Sequence, residues 1–252
     1  MSSKKIKFSN STGHQLAAII ELPENVEPLG FAVFAHCFTC NKNLTAVKNI
    51  GRSLTNNGIA VLRFDFTGLG ESEGDFEDTN FSSNIEDLLY AAFFLEGEYK
   101  APTILIGHSL GGAAVIAASG RIESVKAVAT IGAPSNPAHV AHLFSSGLQE
   151  INTNGLAEVS IGGRSFTIKK QFLDDIVENR INKAVHEMRK PILILHSPQD
   201  KTVGIENAAQ IYQSAMHPKS FISLDGADHL LSDNKDSIYA GKMIATWAKR
   251  YI

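Results

Sequence analysis

The chain has only two cysteines among its 252 residues, too few for the disulfide framework on which small secreted domains depend. It also has no long apolar run. A membrane-spanning helix needs about 20 such residues, and FAVFAH and PTILIG are of strand length. Neither charge sign dominates: 23 Lys and Arg face 26 Asp and Glu, leaving a formal net charge of -3. That balance gives no electrostatic footprint for nucleic acid or an anionic membrane. The opening MSSKKIKFSN is slightly basic, but no apolar stretch follows it, so export through a signal peptide is not expected. Repeats and low-complexity segments are absent as well. The expectation is a cytoplasmic protein without a membrane span.

What the chain does have is an ordinary globular composition, 44% hydrophobic and 19% charged, with a regular alternation of pattern. Residues 4–9 and 15–22 read as strands joined by the turn NSTGH, which makes them antiparallel. Residues 30–36, 59–66 and 103–107 are apolar runs without polar alternation, as in parallel strands covered on both faces. Residues 125–131, 192–196 and 220–224 continue the series. Helix patterns lie between them at 45–57, 84–96, 110–119, 205–214 and 236–251. Strand–helix alternation of this kind predicts an α/β domain with a mostly parallel sheet and helices on both faces. Residues 135–190 break the rhythm. They hold His139, His142, the hairpin-like VSIGGRSFTI and a polar helix pattern over 170–188. The expectation is one domain, 1–252, with a cap insertion at about 135–190.

Chemistry concentrates in PTILIGHSLGGAAVIAAS. Gly107, Ser109 and Gly111 form a G-x-S-x-G between a strand and a helix. A serine on so tight a turn stands clear of the sheet, and its neighbours two residues away must be small. The turn also aims the Leu110 N–H, at the helix start, toward a developing oxyanion. A phosphate-loop reading fails, because neither G-x-x-x-x-G-K-[ST] nor G-x-G-x-x-G is present.

A serine nucleophile needs a base, and the base needs an orienting acid; on this kind of fold they follow in the order Ser, acid, His. Of nine histidines, His229 in DGADHLL lies just past the strand pattern 220–224, at the carboxyl edge where ligands sit. His217 precedes that strand, and His196 precedes the expected acid. For the acid, Asp200 in LHSPQDKTV follows the strand pattern 192–196 and faces the same edge. Asp225 and Asp228 compete by sequence proximity alone, and their simpler role is turn formation beside Gly226.

In that order, Ser109, Asp200 and His229 resemble the α/β-hydrolase superfamily over nearly the whole chain. RFDFTGLGES, from Arg63 to Ser72, is similar to that family's D-x-x-G-x-G-x-S turn, with Asp65, Gly68, Gly70 and Ser72 matching. HCFTC, RFDFTGLGESEGDF and IGGRSF resemble, more narrowly, the hydrolase domain found fused to OsmC-type domains, here in stand-alone form. The hairpin-bearing cap resembles that of feruloyl and cinnamoyl esterases. The resemblance implies an α/β-hydrolase fold and a serine esterase acting on small or medium acyl or aryl esters through an acyl-enzyme on Ser109. It implies no metal or organic cofactor and a small-molecule ester as substrate, with oligomeric state left open. Thioesterase, peptidase or amidase, and acyltransferase chemistry would use the same three residues.

The family's loop after the third strand often reads H-G-x, with the second oxyanion N–H on the residue after glycine. Here that place reads His36-Cys37-Phe38, so Phe38 is the expected partner of Leu110 in an oxyanion hole. His36 is expected to brace the loop. Cysteine in place of glycine departs from the pattern, because glycine reaches φ > 0 freely and cysteine does not. The segment AHCFTCNK also invites two other readings. Cys37 and Cys40 form a C-x-x-C that could serve a dithiol oxidoreductase, but that leaves the serine, acid and histidine unexplained. A zinc site lacks a second ligand pair. The expectation is a loop in which the C-x-x-C spacing is incidental and Cys37 is a thiol near the nucleophile. A non-catalytic, hydrolase-like binding module is the remaining rival, and such modules usually lose one of the three residues.

Overall fold

The computed structural model describes residues 1–179 and 181–252. In chain order the elements begin with strands β1 (Ser2–Ser9), β2 (Gln15–Leu22) and β3 (Gly30–Ala35), then helix α1 (Thr45–Thr55) and β4 (Ile59–Phe64). Helix α2 (Phe81–Glu98), β5 (Ile104–His108), α3 (Leu110–Ser119) and β6 (Ala127–Ile131) follow. After the segment between β6 and β9, described below, come β9 (Ile192–His196), α7 (Glu206–Ser214), β10 (Lys219–Ser223) and α8 (Asn234–Ala248).

Eight of these strands form one sheet in the order β1-β2-β4-β3-β5-β6-β9-β10. The β1–β2 and β2–β4 pairs are antiparallel and the remaining five pairs are parallel. Every residue of β3, β4, β5, β6 and β9 is buried, which explains their uninterrupted apolar sequences. Period two still operates inside β3. Phe31, Val33 and Ala35 join the core beneath α2 and α3, while Ala32 and Phe34 join the core beneath α1 and α8. The predicted α/β-hydrolase fold is thus present, with helices on both faces.

The topology also determines where a ligand can sit. Strand β3 pairs with β4 on one side and β5 on the other, so successive connections leave it in opposite directions. A crevice opens at the carboxyl ends of such a strand pair. The register sets Ala35 opposite Gly107, which brings the loop after β3 beside the residue after β5. Asp200 and His229 follow β9 and β10 at the same edge.

Between β6 and β9 the structure is richer than its sequence pattern indicated. A 3-10 segment, Pro137–Gly147, leads into α4 (Leu148–Asn154). The expected hairpin follows as β7 (Leu156–Ile161) and β8 (Arg164–Lys169), with Gly162 and Gly163 both at positive φ in the turn. The single helix expected over 170–188 is instead two, α5 (Lys170–Glu178) and α6 (Ile181–Met188). Asn179 adopts an extended conformation that ends α5, and position 180 lies outside the described residues.

A buried ion cluster holds the start of this edge together. Asp65, completely buried, accepts hydrogen bonds from the Lys42 and Glu71 amides at 2.6 and 2.9 Å. The Lys42 ammonium, also buried, bridges Asp65 and Glu71, and Gly70 lies so close that a Cβ there would fall 2.2 Å from Asp65 Oδ2. The D-x-x-G-x-G-x-S turn therefore packs as expected, but the pairing of its aspartate with Lys42 was not visible in the motif. Removing one partner of a buried pair leaves the other charged and unpaired. Lys42→Met is expected to lower unfolding stability by about 3 kcal/mol or more, read as a fall in the urea midpoint.

Candidate active site

Ser109 occupies a strained turn between β5 and α3, at φ 54° and ψ -127°. A non-glycine residue held there costs on the order of 1–3 kcal/mol, so surrounding packing must impose it. The two glycines of the motif make that packing possible. A Cβ on Gly107 would sit 2.2 Å from the Gly111 carbonyl oxygen, and one on Gly111 would sit 2.4 Å from the His36 carbonyl oxygen. The turn can therefore be this tight only with hydrogen at both positions.

The structure brings Ser109, His229 and Asp200 together, although they are 120 and 29 residues apart in the chain. His229 Nδ1 lies 2.7 Å from Asp200 Oδ2, and its Nε2 lies 2.9 Å from Ser109 Oγ. A ring nitrogen against a carboxylate carries the proton, so Nδ1–H donates to Asp200 and Nε2 accepts from the serine hydroxyl. Asp200 is fixed in turn by its other oxygen, which accepts the Thr202 and Val203 amides at 2.8 and 2.9 Å. Burial alone would raise its pKa, but hydrogen bonds from His229, Val203 and Thr202 outweigh burial and hold the carboxyl below its ordinary value. The competing acids lie elsewhere. Asp225 accepts from the Gln199 amide group, and Asp228 accepts from the Ser232 N–H.

Phe38 and Leu110 line one small cavity, together with His36, Leu69, Asn84 and Ala114. Neither the Phe38 nor the Leu110 N–H donates to a protein acceptor among the described residues, which leaves both free for a ligand oxygen. His36 braces the loop as expected. Its Nδ1–H donates to the Cys37 carbonyl at 2.8 Å, and Nε2 accepts the Phe66 amide at 3.5 Å. The backbone of the loop agrees with the conformational limit on cysteine, but the expectation of a free thiol needs correction. Cys37 does not take the positive φ that glycine would supply; Thr39 does, at 62°. Nor is Cys37 a free thiol, because the loop folds back on itself and joins Cys37 to Cys40 in a disulfide. The C-x-x-C spacing is therefore used, and not incidental.

Two buried histidines pack around the array: His196, set aside in the sequence as preceding the acid, and His108, the first x of G-x-S-x-G. His108 Nε2–H donates to the His229 carbonyl at 2.7 Å, and His196 Nε2–H donates to the Val203 carbonyl at 2.8 Å. Each braces one loop that carries a member of the array. Burial, reinforced by the nearby charge of His229, pushes His108 down to about 3. Burial also lowers His196, whose Nδ1 has no hydrogen-bond partner among the described residues. The x of G-x-S-x-G carries no pattern that would announce this role. His217 is exposed, as expected, before β10. His139 and His142 pack edge to face, and His139 Nε2–H donates to the Thr202 carbonyl, which ties the 3-10 segment to the Asp200 loop. Among the described residues no group of three His, Cys, Asp or Glu is placed to hold a metal ion, and no helix is long and apolar enough to cross a membrane.

With this fold and this site, the chain belongs to the α/β-hydrolase superfamily of serine hydrolases. Residues 31–154 match the Hydrolase_4 family, serine aminopeptidase S33. Over its full length the chain is 52% identical to the esterase domain of a Rhodothermus marinus protein, covering 99% of that chain with a TM-score of 0.83. Est1E from Butyrivibrio proteoclasticus, solved with ferulic acid bound, shares the fold at 21% identity, with 95% and 98% of the two chains covered and a TM-score of 0.78. The rat mitochondrial palmitoyl-protein thioesterase ABHD10 is 26% identical over 206 residues, which span 77% of this chain and 66% of its own length.

The depressed His108 gives the fold an acid-sensitive element. Above pH 6.5 the ring is neutral in both folded and unfolded chains. Between 6.5 and about 3 only the unfolded chain takes up the proton, so stability falls as pH drops through that window. The loss is up to about 1.4 kcal/mol per pH unit. Denaturant midpoints measured from pH 7 to 4 should decline less steeply in His108→Asn, by about one proton's worth of slope.

Proposed function

We propose that this protein is a serine esterase. The observation that carries the reading is the hydrogen-bonded run from Ser109 Oγ through both His229 nitrogens to Asp200 Oδ2. In this reading Ser109 Oγ attacks the ester carbonyl as its proton passes to His229 Nε2, and Asp200 stabilises the resulting imidazolium. The carbonyl oxygen, now an anion, is held by the Phe38 and Leu110 N–H groups, each worth on the order of 3 kcal/mol in the transition state. His229 then protonates the departing alcohol, and the alkoxy C–O bond breaks to leave an acyl-serine. Water, deprotonated by the same nitrogen, attacks that acyl group, and the proton returns to Ser109 as the acid leaves. Relationship to an esterase domain at 52% identity supports ester over amide substrates.

The surroundings favour a short acyl group. The leaving oxygen must face His229 Nε2, so the acyl chain extends away from the histidine, past the oxyanion donors. There the cavity lined by Phe38, Leu69, Asn84, Leu110 and Ala114 measures only about 10 Å³, on the order of one water molecule. Above it, the segment from 135 to 190 acts as a cap. Phe144 and Phe172, both buried, close over Phe38 with ring centroids 6.4 and 5.2 Å away. On the histidine side, by contrast, a groove of about 400 Å³ runs past Gln199, Lys201, Thr202, Asp228 and His229. Thioester cleavage uses the same chemistry and is favoured by the similarity to the rat thioesterase, but a palmitoyl chain would exceed the acyl space.

Labelling with a fluorophosphonate and turnover of p-nitrophenyl esters test this reading together. Wild type should be labelled and Ser109→Ala should not. Asp200→Asn should lower kcat by about 10⁴-fold, whereas Asp228→Asn should change it little. If wild type is neither labelled nor active, the esterase reading fails. Among acyl chains, acetate should be cleaved faster than hexanoate, and Leu69→Ala should narrow that gap; equal rates on both chains in wild type would remove the short-acyl assignment.

A further inference from the structure

The Cys37–Cys40 disulfide is not needed for any step of the proposed reaction, yet it encloses the residue that supplies one oxyanion donor. Only Phe38 and Thr39 lie within the ring of chain it closes. Both ends of the loop are anchored independently. Upstream, His36 holds the Cys37 carbonyl; downstream, the Lys42 amide and ammonium are bound to Asp65. The middle has fewer constraints. Phe38 N–H has no protein acceptor, and the one backbone hydrogen bond across the turn runs from Cys40 N–H to the Cys37 carbonyl, 3.0 Å. Thr39 meanwhile sits at φ 62°, a region unfavourable to a branched residue and stable only when its surroundings hold it there. The direction of the Phe38 N–H depends on that turn, because rotating the 38–39 backbone re-aims the 37–38 peptide. What opposes such rotation is the packing of the Phe38 ring against Phe76, Phe144 and Phe172, and the covalent bond.

We propose that the Cys37–Cys40 disulfide is a positioning element for the reaction, one that keeps the Phe38 N–H on the oxyanion. The enzyme turns over fully with the bond closed and slows when a dithiol opens it. This rests on the esterase reading above. Reduction proceeds by thiol exchange. A thiolate of the dithiol attacks Sγ of Cys40, the partly exposed residue of the pair, while Cys37 is 3% exposed. The S–S bond breaks, Cys37 leaves as a thiolate and takes a proton, and a mixed disulfide remains on Cys40. The second thiol of the reagent displaces Cys40, which is protonated in turn. The protein gains two electrons and two protons, and the dithiol departs as its own cyclic disulfide. With the clamp open, Thr39 can relax toward negative φ and the oxyanion loses a fixed donor. The defect belongs to the transition state, where the charge develops, so kcat falls while KM stays nearly constant.

The test uses the full chain before and after dithiothreitol, with thiols counted by titration. Reduction should lower kcat for p-nitrophenyl acetate by about 10-fold, short of the 100-fold or more that follows outright loss of a donor. KM should move less than about threefold, and reoxidation should restore kcat. Cys37→Ser/Cys40→Ser should match the reduced wild type in kcat and ignore dithiothreitol. Thermal melting of each form excludes unfolding as the cause. A reduced enzyme that keeps its kcat, or a double variant that still responds to dithiothreitol, overturns the proposal. Amide hydrogen exchange at Phe38 supplies a readout that does not depend on turnover and should accelerate on reduction. Absent turnover in both redox states would defeat the esterase reading alone, whereas unchanged exchange at Phe38 would defeat the clamp.

Discussion

Everything at this site depends on how closely the start of α3 approaches the end of β3. Gly111 lies against the His36 and Ala35 carbonyls at distances that no side chain could occupy, 2.4 and 2.5 Å from where a Cβ would sit. That contact presses the strand–turn–helix carrying Ser109 directly under the loop carrying Phe38. Phe38 and Leu110 line one cavity because of it, and the positive φ of Ser109 is the conformational cost of reaching it. A larger residue at 111 would push apart the turn carrying Ser109 and the loop carrying Phe38. They are a single structural unit, although one belongs to β5–α3 and the other to β3–α1.

Around that contact the polar groups are arranged so that one histidine joins Ser109 to Asp200, the proton path of the proposed reaction, and three others are held neutral by burial. His36, His108 and His196 are all depressed by burial, and each spends its N–H on a carbonyl of a loop that matters: Cys37, His229 and Val203. A neutral imidazole suits this task. It donates one directional hydrogen bond without adding a second cation near His229, whose own imidazolium would form beside Asp200 in the proposed reaction. Asp200 stays ionised despite burial because it accepts two backbone amides and the His229 ring.

The sheet, its helices and the order of serine, acid and histidine could all be read from the chain, since each leaves a local mark. Buried parallel strands show as unbroken apolar runs, and the tight turn shows as glycines around Ser109. Asp200 was separable from Asp225 and Asp228 because strand ends, and not sequence neighbours, set which side chains meet at the carboxyl edge. What could not be read depends on long-range contacts. Lys42 looks like any surface lysine until the fold sets it on Asp65, 23 residues later. His108 and His196 gain their roles only when the loops bearing His229 and Val203 close over them. The region from 135 to 190 hid a 3-10 segment and a helix break, because its elements bury narrow faces against Phe38 and leave short, mixed patterns.

The loop after β3 shows the same limit most clearly. Where related loops place glycine, cysteine raised a question of backbone freedom, because a glycine there can turn left-handed at little cost. The structure moves the left-handed residue two positions along, to Thr39, and adds a covalent bond around it. A β-branched residue at φ 62° gives the loop no intrinsic preference for its observed shape. The shape therefore has to come from constraint: His36 at one end, Lys42 on Asp65 at the other, aromatic packing on Phe38 and the Cys37–Cys40 bond between. Glycine makes such a turn permissible and leaves it soft. Cysteine paired three residues on adds a covalent constraint that lasts only while the bond is closed, so under the proposal above the loop is stiffer in its oxidised state than in its reduced state. Cytosolic disulfides that persist are uncommon, and those that occur are usually transient or redox-sensing.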